Sequence, residues 1–367
     1  MPDPRVTRLA QVLVHYSLQL RPNDLLRISG PALAAPLIHA AYAEALAAGA
    51  NPYVKASVEG VDELYYRGAS DAQLRFLNPM DEQEVERVDA TLGIWAHWNT
   101  RNLTGIEPRK LSLRREATAP LQARFLERAG RDELRWVGTQ YPTNAEAQDA
   151  DMSLSDYEEF VYTAGLLDRD DPVAAWQHVR AEQDRIVALL GTKDALEIRG
   201  PDIDLRVSVR GRTWINAAGE KNFPDGEVFT GPVEDSMNGR ARFSFPAVYS
   251  GREVDGVELT FENGRVVSAR AEKGEDFLQA MLDLDAGARA VGEFAFGTNY
   301  NIQRFTRNIL FDEKIGGTLH MALGAGYPET GSKNQSGLHW DMICDLRNGT
   351  EVKADGELIY RAGKFLI

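Results

Sequence analysis

Cysteine is nearly absent. Cys344 is the single one among 367 residues, which excludes an intrachain disulfide and a cysteine-rich zinc knuckle. Any metal must therefore be held by histidine and carboxylates. Positive charge is also short: 41 Lys and Arg against 55 Asp and Glu leave a formal net charge of −14. Such a surface is unsuited to tracking a phosphate backbone, so no nucleic-acid partner is expected, and the plain reading of the acidity is colloidal solubility. Long apolar runs are missing too. No stretch reaches about 18 uninterrupted apolar residues, and the amino terminus lacks a basic region, an apolar core and a small-residue cleavage site. The expectation is a cytoplasmic protein with no membrane partner.

Several catalytic signatures are absent as well. There is no H-E-x-x-H and no G-x-S-x-G elbow. Lys314-Ile315-Gly316-Gly317-Thr318 lacks the glycine order of a phosphate loop, and in Gly324-Ala325-Gly326 the third glycine of a dinucleotide fingerprint comes too late.

What is present suits a packed protein, with 43% hydrophobic and 26% charged residues. The length favours two domains, each large enough for its own core. From Val6 to Leu18 apolar residues recur at helical spacing, and Arg21-Pro22-Asn23-Asp24 breaks the pattern. Short strands are predicted at 25–28, 52–56, 91–96 and 134–138, with helices at 32–48 and 119–129 between them. That alternation predicts an α/β domain built on a mostly parallel sheet. An amphipathic helix over Pro172–Leu190 follows, and beyond it the chain alternates apolar and polar residues in short runs, as in Asp204-Leu205-Arg206-Val207-Ser208-Val209. We read residues 1–188 as the α/β domain and 189–367 as an α+β, β-rich domain that carries the metal site.

Six histidines occur. His15, His39, His97 and His178 are isolated in predicted helices or at a strand end and are read as structural or surface residues. His320 and His339 differ, because each lies in a glycine-rich segment with other coordinating groups nearby. On a strand, residues i and i+2 share a face, so His339 and Asp341 can offer an imidazole and a carboxylate to one ion or an adjacent pair; the alternative is a strand-surface pair without a ligand. Glu227 follows a Pro-Asp-Gly turn at the head of a strand. Glu293 lies in the apolar run Val291-Gly292-Glu293-Phe294-Ala295-Phe296, where a carboxylate needs a partner. That partner is either a metal ion or an arginine such as Arg304 or Arg307. Tyr327 is a packing residue, a metal ligand, or a hydrogen-bond donor to a developing oxyanion.

These segments together resemble the M29 metallopeptidases, the aminopeptidase T and aminopeptidase S groups. The resemblance is carried by Pro-Asp-Gly-Glu-Val-Phe-Thr around Glu227, Gly-Glu-Phe-Ala-Phe-Gly-Thr-Asn around Glu293, Lys-Ile-Gly-Gly-Thr-Leu-His ending at His320, Gly-Tyr-Pro at Tyr327 and Ser-Gly-Leu-His-Trp-Asp ending at Asp341. It extends to the first half through Trp136-Val137-Gly138-Thr139-Gln140-Tyr141-Pro142. It implies that Glu227, Glu293, His320, Tyr327, His339 and Asp341 surround two divalent ions, that the substrates are peptides with a free amino terminus, and that the protein is a homodimer enclosing the active site.

Two ions about 3.5 to 4 Å apart can share a water, lower its pKa and polarise a peptide carbonyl, and a mixed oxygen and imidazole set suits zinc, with cobalt or manganese as alternatives. In this reading Glu293 bridges the ions and Tyr327 either ligates or stabilises the tetrahedral intermediate. The general base is unassigned; Asp225 and Glu313 are near ligands in sequence. Two competing readings are a non-catalytic metal or small-molecule binding protein, and a carbohydrate hydrolase using Glu227 and Glu293 as its acid and base.

Overall fold

The computed structural model describes residues 3–367, so Met1 and Pro2 of the amino terminus lie outside the described residues. The chain forms two units, the first running to Ala174 and taking in Gly219–Phe223, the second made of Ala175–Ala218 and Pro224–Ile367.

The first unit is built on a five-stranded sheet in the order Asn51–Ser57, Leu25–Pro31, Ala90–Trp95, Arg135–Gln140, Asn222–Phe223. Every pairing in it is parallel, as the alternation of strands and helices requires. The inner strands carry Leu26, Ile28, Leu92 and Val137, all buried, because helices cover both faces of such a sheet. Its edge strand Asn222–Phe223 comes from a return of the chain, and Thr139 Oγ1 donates to the carbonyl of Phe223 at 2.9 Å. The helix expected at 119–129 runs over Pro108–Gly130 with Pro120 inside it. The proline suggests a first helical position, but only one ladder bond is lost there and the flanking turns continue the helix. The opening helix comprises Pro4–Gln11 and then wider π-helical turns over Val12–Ser17. The helices Val61–Gly68, Asp71–Arg75, Pro79–Arg87, Asn144–Asp149 and Leu154–Ala164 go beyond what the sequence pattern predicts; the first and third bury no residue, so no core-facing stripe marks them.

In the second unit, the amphipathic helix Pro172–Leu190 inserts Ile186 and Leu190 into the apolar core. The division between the two units falls near the start of this helix, at Ala174/Ala175. Two antiparallel sheets contribute to that core. One has eight strands in the order Arg265–Arg270, Glu258–Glu262, Asn238–Arg242, Ile203–Ser208, Ala195–Arg199, Glu351–Ala354, Glu357–Arg361, Lys364–Phe365. The other has five, in the order His339–Asp345, Thr318–Gly324, Val291–Gly297, Glu227–Thr230, Ile215–Ala217. Four of the strands of this second sheet begin with or carry the candidate ligands. No described helix is long and apolar enough to cross a membrane.

Candidate metal centre

The register of the five-stranded antiparallel sheet decides which side chains meet. Glu227 pairs with Gly297, Ala295 with His320, and Glu293 with Ala322. Ala322 also pairs with Asp341, and Gly324 with His339. Paired residues point to the same side, and side chains alternate along each strand. Glu227, Glu293, His320, His339 and Asp341 therefore share one face, interleaved with Ala295, Gly297, Ala322 and Gly324, whose small side chains leave space for the ligands to converge. The opposite face carries Val228, Phe294, Phe296, Leu319, Met321, Leu323, Trp340 and Met342, all in the apolar core. Eight apolar side chains on one side and five polar ones on the other make the alternation of the sequence a two-faced sheet.

Glu227 is held by its surroundings. Gly226 has φ of 127°, and a Cβ placed there would sit 2.6 Å from the Cβ of Asn299. Only glycine suits that turn. The Asn299 side chain donates to the carbonyl of Asp225 at 2.8 Å, and Gln183 Nε2 donates to the carbonyl of Glu227 at 2.9 Å.

The five side chains form overlapping groups. Ligand atoms of Glu227, Glu293 and His320 lie within 4.8 Å of one another, as do those of Glu293, His339 and Asp341. Glu293 belongs to both groups. One of its oxygens faces His320 Nε2 at 3.5 Å and the other faces His339 Nε2 at 3.4 Å. Neither Arg304 nor Arg307 is needed as its partner; Arg307 instead donates to Glu253 at 2.9 Å. His339 donates from Nδ1 to the carbonyl of Ala325 at 2.9 Å, which turns Nε2 toward the carboxylates. A backbone acceptor on the far ring nitrogen is the usual way to orient a ligating imidazole.

Three of these residues carry buried polar atoms without hydrogen-bond partners: both ring nitrogens of His320, Oε2 of Glu227 and Oδ1 of Asp341. Buried polar atoms are normally satisfied. Such atoms also occur elsewhere in the chain, as at Trp214 and Tyr360, but on this face they belong to carboxylate and imidazole side chains, a donor set that fits a divalent cation of the zinc, cobalt or manganese type.

The electrostatics point the same way. Burial pushes the Glu227 carboxyl well above its ordinary range, against the pull of Lys314. Burial also raises Asp341, with Glu313 adding to it, to about 6. At Glu293 burial is outweighed by His320 and His339, which hold it at about 2. Burial lowers the two histidines, but facing carboxylates raise His320 to about 9 and His339 to about 10. A metal-free site of this kind retains protons that a cation would displace.

Tyr327 stands at the rim, 40% exposed, with its ring 5.4 Å from that of His339 and 5.4 Å from that of Phe229. Burial of its hydroxyl and the nearby Glu293 and Asp341 raise the phenol well above its usual pKa, so it stays protonated. Glu313 joins His320 and Asp341 in a third group of potential ligands. The residue that sequence reasoning missed is Lys314. It is fully buried, with Nζ 3.2 Å from Glu227 Oε1 and in contact with Glu313. No periodicity marks it, since lysine is almost never buried without a partner; its only signal is its place between Glu313 and the Ile-Gly-Gly-Thr turn.

The remaining histidines lie elsewhere. His15 faces Glu44 at 3.2 Å, His97 contacts Glu146 at 2.7 Å, and His39 and His178 are exposed on helices.

Known proteins resemble this chain over its length. Aminopeptidase 2 of Geobacillus stearothermophilus is 29% identical over 99% of this chain and 98% of its own. Aminopeptidase T of Thermus aquaticus is 35% identical over 56% of this chain and 58% of its own. The structure of wild-type AmpT from Thermus thermophilus superposes with a TM-score of 0.87 at 24% identity, covering 99% of both chains, a likeness in fold. The model of the thermophilic metalloprotease (M29) family matches residues 3–365. With that match across both units, the chain belongs to the M29 family of metallopeptidases.

Proposed function

We propose that the chain is a dinuclear metalloaminopeptidase that removes the amino-terminal residue from peptides. The observation that carries this reading is the position of Glu293, shared by the Glu227 and His320 group on one side and the His339 and Asp341 group on the other. A carboxylate with one oxygen toward each group is the arrangement expected of a bridge between two ions. Glu227 and His320 would hold one ion, His339 and Asp341 the second, and Glu293 both. The ions supply Lewis acidity: polarisation of the scissile carbonyl and activation of water.

The other side chains have separable tasks. Tyr327, kept protonated at the rim, donates a hydrogen bond to the oxygen that becomes negative as the carbonyl is attacked. The Ala325 carbonyl fixes the tautomer of His339, and the apolar face behind the strands keeps the ligands rigid. Zinc is the ion we assign to the site, with peptides bearing a free amino terminus as substrates, and the family resemblance supports a cytoplasmic homodimer. A carbohydrate hydrolase built on Glu227 and Glu293 is disfavoured, because both carboxylates face His320 within 3.5 Å and the His320 and His339 cluster has no task in an acid and base pair of that kind.

The test is elemental analysis of the purified protein together with a panel of aminoacyl and amino-blocked peptide substrates, before and after chelation and metal return. Two ions per chain and metal-dependent cleavage of unblocked substrates alone are the expected results. Activity that survives complete metal removal, or no cleavage at full occupancy, would overturn the proposal.

A further inference from the structure

Lys314 is the least expected side chain of the second unit. It has no exposed surface, and an ammonium buried without compensation costs several kcal/mol. Its Nζ is 3.2 Å from Glu227 Oε1 and 3.8 Å from Asp225 Oδ1, and it also contacts Glu313. The backbone on either side is anchored: Lys314 N donates to the carbonyl of Phe311, and Asn299 N donates to that of Lys314.

The contact divides the Glu227 carboxylate into two unlike oxygens. Oε1 accepts from Lys314, whereas Oε2 has no hydrogen-bond partner and faces His320 Nε2 at 3.3 Å. We infer that Lys314 is a positioning residue of the metal centre, which clamps Oε1 of Glu227 so that Oε2 alone is presented to the ion shared with His320. This inference rests on the two-ion reading above. A lysine suits the task because its compact charge and three donors can serve several carboxylates at once. Charge balance, on that same two-ion reading, agrees. Asp225, Glu227, Glu293, Glu313 and Asp341, when ionised, carry one negative charge more than two divalent ions neutralise, and Lys314 supplies the missing positive charge.

The test is a Co²⁺ titration of metal-free wild type and of the Lys314→Met, Glu227→Gln and Lys314→Met/Glu227→Gln variants, followed by visible absorption and by competition with a chelating indicator. If Lys314 acts through Glu227, both single variants weaken the same ion by about 10- to 100-fold. The double variant then loses no more than the worse single one, as expected for two residues that form one unit. The second ion, held by His339 and Asp341, shifts less. Wild-type affinity in Lys314→Met, or losses that multiply in the double variant, would overturn the inference. Should Lys314→Met fail to fold, the double variant removes both members of the buried contact and is compared with Glu227→Gln alone; equal affinity supports the clamp and a further loss overturns it. Wild type that binds two Co²⁺ ions but cleaves no peptide would overturn the aminopeptidase reading while leaving the clamp standing. Wild type that binds no Co²⁺ would overturn both.

Discussion

Glu293 and His320 stand on neighbouring antiparallel strands one step apart diagonally, with Ala295 opposite the histidine and Ala322 opposite the glutamate. Their Oε1 and Nε2 atoms are 3.5 Å apart. This diagonal, rather than a direct pairing, sets the two side chains over the small residues Ala295 and Ala322, on the face where we propose that the ions sit.

If Glu293 serves both ions, Glu293→Gln should weaken both, whereas Glu227→Gln and Asp341→Asn should each weaken mainly one. The drop expected for Glu293→Gln is at least about 100-fold in kcat, with metal content falling below two per chain. Metal analysis after gel filtration distinguishes the cases; loss of a single ion in Glu293→Gln would remove the bridge.

Tyr327→Phe deletes one hydroxyl at a partly exposed position and should leave both ions bound. As a donor to the developing oxyanion, the phenol contributes about 10²- to 10³-fold to kcat. Unchanged turnover, or loss of an ion, would assign Tyr327 a different role.

Ala322 pairs with both Glu293 and Asp341 and is fully buried. Ala322→Val adds two methyl groups to the floor of the site while suiting a strand. Metal affinity should fall by about 10-fold or more, with the metal-free melting temperature within a few degrees of wild type. A variant that binds metal normally would show that the gap above Ala322 is not the ion position.

The pH dependence follows from the histidines. His320 at about 9 and His339 at about 10 lie above the ordinary value of 6.5. Their contribution to metal-free stability is therefore complete below about pH 6.5 and is lost as pH rises through 9 to 10. Glu293, depressed to about 2, contributes above its ordinary range and loses that only in strong acid. Asp341, raised to about 6, titrates below this window. A bound cation replaces the imidazole protons, so the melting-temperature gap between loaded and metal-free protein should widen from pH 7 to pH 9.5. Calorimetric scans in matched buffers measure it, and a constant gap would contradict these assignments.

Much of this is legible in the chain itself. The motifs around Glu227, Glu293, His320, Tyr327, His339 and Asp341 name the candidate ligands in order, and the i, i+2 spacing of His339 and Asp341 is enough to place them on one face of a strand. The parallel sheet of the first unit follows from strand and helix alternation. The helices between Val61 and Arg87 do not, because Leu74 is the one residue they bury and a single position leaves no period in the sequence. Nor does the full length of Pro108–Gly130, since Pro120 reads as a beginning.

What local sequence cannot encode is strand register, because pairing depends on residues far apart along the chain. The alignment of Gly297 with Glu227, Ala295 with His320 and Ala322 with Asp341 brings five candidate ligands from four strands onto one face, and a slip of one residue would send a strand's candidate ligands to the core side. The same holds for Lys314. Its charge alone marks a surface residue, and only the folding of Asp225, Glu227 and Glu313 around it makes burial of an ammonium tolerable. Residue types and their spacing determined which groups could bind a cation, and long-range pairing decided that they meet.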